Sequence, residues 1–206
     1  MNATRLTRPG AMLVLASLAI SPLAARGAAA DARPLLVPAR DVTVAYQVTP
    51  EGHAPLDVLV AIKAGGSKLR ITSDTLPTTL LVDRSTERAA IVLPMLHAYS
   101  DIKIGRYDPE QTVLKGATFT RGGAQRVLGH PCTEWHATSS DGTASACITA
   151  EGVILRAEVD NEKRGKAVRL AATRVDFAPV PDATFAVPPD FQRSPFKLNL
   201  QGGLGK

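Results

Sequence analysis

Cys132, Glu134 and His136 alternate along one run of the chain, with His130 just before them. The second cysteine, Cys147, follows beyond the polar stretch Ser139-Ser140-Asp141-Gly142. Three chemistries can be tested on these residue types. Cys132, Glu134 and His136 fall on one face of a strand, as metal ligands would, but a metal centre needs a convergent second group with ligand spacing and the sequence offers none. A redox-active dithiol is usually a close Cys-x-x-Cys pair, whereas fourteen residues separate these cysteines. Ser139 or Ser140, Asp141 and His130 supply the residue types of a serine triad, yet Ser-Ser-Asp-Gly is also ordinary turn composition. What remains is a structural disulfide, Cys132 to Cys147, closing a β-hairpin whose strands flank that turn. Closing a loop of this size restricts the unfolded chain by about 3 kcal/mol.

No other chemistry outcompetes this reading. The remaining histidines, His53 and His97, stand in no nucleophile or metal motif, and Asp41, Asp57, Asp83 and Asp101 are scattered without visible pairing. There is no Gly-x-Ser-x-Gly elbow, phosphate-cradling loop or metalloprotease His-Glu pair. The sequence therefore predicts a non-enzyme with no catalytic residues, metal or cofactor.

Arg5 and Arg8 precede the apolar run Ala11 to Ile20, and Ala28-Ala29-Ala30 follows as a small-residue cleavage site. This is the pattern of a signal peptide over residues 1–30, with cleavage after Ala30 and export to the periplasm. An apolar run of that length is too short for a membrane-spanning helix, which needs about 20 residues. Loss of Arg5, Arg8 and Arg26 lowers the formal charge from +5 to +2. With aromatics at 4% and no basic cluster, nucleic acid is excluded as a partner, and no transmembrane segment is expected in the mature chain.

The elements that must position the cysteines follow a period of two. Val42, Val44, Tyr46 and Val48 alternate with Thr43, Ala45, Gln47 and Thr49; Leu56, Val58, Val60 and Ile62 repeat the pattern. Ala64 to Ser67 is a turn into Lys68–Ser73, whose Leu69 and Ile71 alternate with Lys68, Arg70 and Thr72. Further pairs are Thr79–Asp83 with Ala89–Leu93, and Val153–Val159 with Val168–Phe177. Sequential strands with short polar turns predict an antiparallel meander. Asp108-Pro109-Glu110-Gln111, with Lys115-Gly116 beyond, predicts a helix of barely two turns, and Met95 to Tyr99 a second helical piece. One domain is expected over 39–191, between a poorly ordered entry (31–38) and tail (192–206).

Arg126 to Trp135, then Ala146-Cys147-Ile148-Thr149 and Gly152 to Arg156, resemble exported families with the LolA/LolB-like lipoprotein-carrier fold. The ending Phe185-Ala186-Val187-Pro188-Pro189-Asp190-Phe191 is similar to theirs as well. The resemblance spans roughly Val42 to Phe191 and implies a strongly curved antiparallel sheet, a half-open barrel with short helical insertions. It also implies a binding module for a lipid, acyl chain or other hydrophobic ligand, or alternatively an interaction module for an envelope protein. The arginine that latches the carriers' lid has no counterpart here. The residues expected to line the inner face are Val58, Val60, Ile62, Leu69, Ile71, Leu80 and Val82, with Met95, Leu96 and Tyr99 as a lid.

Overall fold

The computed structural model describes residues 33–75, 77–104, 116–161 and 166–194, and among them the chain forms twelve strands, most of them from alternating hydrophobic runs. The first six are β1 (Val42–Pro50), β2 (Leu56–Ile62), β3 (Lys68–Ser73), β4 (Thr79–Asp83), β5 (Arg88–Leu93) and β6 (Ala98–Lys103). They are followed by β7 (Thr118–Val127), β8 (His130–Ser139), β9 (Gly142–Ile148), β10 (Ile154–Asn161), β11 (Lys166–Asp176) and β12 (Gln192–Arg193). Their order is β12-β6-β5-β4-β3-β2-β1-β11-β10-β9-β8-β7. Two antiparallel meanders, β1 to β6 and β7 to β11, are thus joined where β1 pairs with β11. The ladder is open, with β7 at one edge and β12, parallel to β6, at the other.

Tight turns drive the meanders. Leu128 and Gly129, both at positive φ, form the two-residue loop between Val127 and His130, the backbone that matches strand twist in a hairpin. Asp83 Oδ1 accepts from the amides of Ser85 and Thr86, closing the β4–β5 turn and holding its carboxyl below the ordinary value, with the Ser85 side chain the largest cause. Irregular register at Ala45/Tyr46 and at Ile154/Arg156 marks bulges, which bend strands and sharpen twist.

The main core gathers around Val42, Val44, Val153 and Leu155, all essentially inaccessible, with Tyr46, Ala172 and both cysteines. A second cluster lies on the other face of β4 and β5, where Leu81, Ala90 and Val92 meet Tyr99, Val187 and Phe191. Here the segment leaving β11 crosses the sheet before adding β12 beside β6.

Several expectations need adjustment. The helical piece placed at Met95–Tyr99 is a single 3-10 turn, Pro94–Leu96, ended by His97 in the left-handed region. β6 starts immediately afterwards, so Tyr99 is a strand residue. β6, β7 and β12 have no counterpart among the strands that periodicity predicts, and β12 pairs Gln192 and Arg193, the first residues of the tail expected to be poorly ordered, with Ala98 and Tyr99. The entry, expected to be poorly ordered, docks over residues 34–39: Gly65 donates to the Pro38 carbonyl at 2.8 Å and Ala39 to that of Glu151 at 2.8 Å. The helix expected at 108–115, the signal peptide and the tail from 195 lie outside the described residues.

Candidate functional site: an apolar face of the first meander

Strand alternation assigns each side chain of a registered sheet to one face. Opposite Val42, Val44 and Tyr46 of β1 stand Ile62, Val60 and Val58 of β2. Opposite Val60 and Ile62 stand Ile71 and Leu69 of β3, and these in turn face Leu80 and Val82 of β4. All seven strand residues expected to line the inner face therefore share one face, and Ile91 of β5 extends it through its pairing with Leu80. Each of these eight residues is half-buried. Val60 and Ile62 pack against the main core, while the others continue the apolar surface away from it.

The opposite face differs in kind. Ala61, Leu81, Ala90 and Val92 are buried, the last three beneath Val187 and Phe191. Arg70 donates to the Thr184 carbonyl at 3.1 Å, adding a polar clasp to the same covering segment. Lys63 binds the Asp41 carboxylate and the Val180 carbonyl, at 3.0 and 2.7 Å, and lies 3.4 Å from Asp182. The backbone amides of Ala64 and Val180, then Lys63, hold the Asp41 carboxyl at about 2. This network ties the start of β1, the β2–β3 turn and the covering segment together.

The three lid residues are not brought together. Met95 and Leu96 are exposed, at 79% and 71%, on the 3-10 turn after β5. Tyr99 lies opposite Val92 and packs with it in the second cluster, on the face away from Ile71 and Leu80. The reason is parity: with β6 in register, Ser100 and not Tyr99 stands beside Ile91.

The chemistry-bearing residues of the second meander are resolved by geometry. Cys132 and Cys147 form a buried disulfide with Cα atoms 5.4 Å apart, which removes the Cys132 thiolate from any metal set. Ser139 and Ser140 bond within their own turn. His130, at the far end of β8, makes an edge contact with Phe177 at 5.6 Å. Nine residues of extended strand separate it from Ser139 by about 30 Å, so no triad assembles there. Among the described residues no three His, Cys, Asp or Glu side chains converge as a metal group would require, and no helix is long and apolar enough to cross a membrane.

An open, largely antiparallel sheet with almost no helix among the described residues defines the class: the fold is LolA-like, as the sequence resemblance implied. An uncharacterised conserved protein from Thermus thermophilus superposes with a TM-score of 0.54 at 13% identity, over 76% of this chain and 90% of that one. MucB of Pseudomonas aeruginosa, solved in complex with MucA, superposes at 0.53 with 16% identity over 74% of this chain, which spans 57% of the MucB chain. A LolA superfamily protein from Nitrosomonas europaea matches more loosely, at 0.38 and 13% identity over 74% of this chain and 92% of that one. At these identities the likeness is one of fold. No protein-family model and no curated protein matches the chain.

Proposed function

We infer that this is an exported, periplasmic binding protein that carries or senses a lipid-like or other hydrophobic ligand without catalysing a reaction. The observation behind the reading is the contrast between the two faces of the first meander. One is partly covered by the chain's own segment, which packs over Leu81, Ala90 and Val92. The other presents Val58, Leu69, Ile71, Leu80 and Val82 as a half-buried apolar surface. A contiguous apolar surface retained beside a finished core favours a ligand.

Native mass spectrometry of the mature protein, purified from the periplasm without detergent, tests this directly. A discrete added mass that extracts into organic solvent supports the carrier reading. A clean unliganded mass, together with no saturable binding of a fluorescent fatty acid at micromolar protein, would defeat it.

A second reading, an interaction module of an envelope complex, draws on β7. This ten-residue edge strand is mostly exposed, and unpaired edges can accept a strand from another chain. MucB, which shares the fold, is solved with a protein partner.

A further inference from the structure

A concavity lies where the entry segment crosses the second meander. It is a cleft of about 320 Å³. Its apolar wall is built from Leu35, Trp135 and Ile148, and its rim carries Arg33 and Arg121, with Thr133 and Thr149 between. Among the described residues no carboxylate lines it. The Arg33 guanidinium lies 5.8 Å from the Phe119 ring centroid, and neither arginine has a carboxylate partner among the described residues. Two other strand arginines of the second meander do: Arg156 lies 3.5 Å from Glu134, and Arg169 lies 2.9 Å from Glu158.

Two guanidinium groups with no carboxylate partner among the described residues, beside a buried indole, select a particular ligand chemistry. Guanidinium forks bind carboxylate and phosphate oxygens through paired, charge-assisted hydrogen bonds. The Trp135 and Ile148 wall would desolvate an apolar body attached to that anion. The disulfide makes the cleft a built feature, because Cys132 forms part of its floor and fixes β8 against β9. On the entry side, Leu35 is held close to Gly152.

We propose that this cleft is a binding site for a compact amphipathic anion, an aromatic or short acyl body bearing a carboxylate or phosphate that Arg33 and Arg121 engage. The site is separate from the apolar face of β2 to β4 and does not rest on the carrier reading.

Trp135 is the single tryptophan of the chain, so one indole N–H cross-peak in a ¹⁵N-correlation spectrum reports on the cleft alone. The probe is 2-naphthoate, with neutral 2-naphthamide as its uncharged counterpart. Naphthoate should shift the indole peak saturably, and the amide and the Arg121→Gln variant should each bind about tenfold more weakly. Arg121 is exposed on the edge strand, so the variant keeps its fold, which its other cross-peaks verify. Ile71→Ser, which damages the proposed cargo face, should leave the naphthoate titration unchanged. An unmoved indole peak at millimolar naphthoate, equal affinity for acid and amide, or unaltered binding by Arg121→Gln would each overturn the site. Loss of naphthoate binding in Ile71→Ser would overturn its separateness.

Discussion

The Tyr46 hydroxyl donates to the Ile154 carbonyl at 2.9 Å across the strand that separates them. Tyr46 is in β1 and Ile154 opens β10, with β11 between. The β11 residue paired with the tyrosine is Ala172, small and buried, and a register shift lies at each end of the bond, at Ala45/Tyr46 and at Ile154/Arg156. The small residue leaves room for the ring, and one buried side chain thus ties β1 to β10 across β11 where the two meanders join. Burial also pushes the Tyr46 phenol well above its ordinary value of 10.0.

Tyr46→Phe should therefore destabilise the protein by about 1 kcal/mol, the net worth of one part-buried hydrogen bond. Urea unfolding followed by far-ultraviolet circular dichroism measures it. A midpoint equal to wild type would show that the bond does not hold the junction.

The Asp41 network predicts acid sensitivity. Its carboxyl sits at about 2 in the folded chain against an ordinary 3.8. A depressed folded value contributes stability that is fully present above the unfolded value, and that stability is lost as pH falls through the folded one. The contribution should disappear between about pH 4 and pH 2, and Asp41→Asn should flatten stability across that window. Parallel pH curves for variant and wild type would refute the assignment.

The alternation that defines β1 to β5 is visible in the residues because one face of each strand meets the core. The same alternation brings the apolar-face residues together in the fold. β7 is illegible for the opposite reason: it is an edge strand, exposed along nearly all its length and bulged at Gly122-Gly123, so no burial imposes a period on Thr118–Val127. Tyr99 turns on a single boundary, since one residue of phase reverses every face in a strand. Asp41 and Lys63, 22 residues apart, meet only through tertiary structure, and only tertiary structure brings Arg33 and Arg121, farther apart still, to one cleft. Local patterning carries no trace of such meetings.

The disulfide should act as a structural brace. Cys132 and Cys147 are both buried in the main core, and their loop predicts about 3 kcal/mol of stabilisation by restriction of the unfolded chain. Replacing both with alanine should lower the thermal midpoint under oxidising conditions, with the wild type falling similarly once reduced. Unchanged melting of the variant would remove this role.

The docked entry can be tested through glycine. At Gly152, φ is +86°, and an added Cβ would lie 2.6 Å from the Val37 carbonyl oxygen and 3.0 Å from Leu35 Cγ. Gly129 has nearly the same φ, +80°, but a Cβ there meets nothing within 4 Å. Alanine at either position incurs the left-handed backbone penalty, about 1 kcal/mol or somewhat more. Only Gly152→Ala also collides with the entry segment, whose backbone cannot move without straining the Ala39–Glu151 hydrogen bond. Gly152→Ala should thus destabilise more than Gly129→Ala, and it alone should speed limited proteolysis around Leu35–Val37. Equal losses, with the entry equally protected in both variants, would mean that the segment does not depend on this close approach. Because Arg33 lies on the same segment, Gly152→Ala should also weaken naphthoate binding, whereas Gly129→Ala should not.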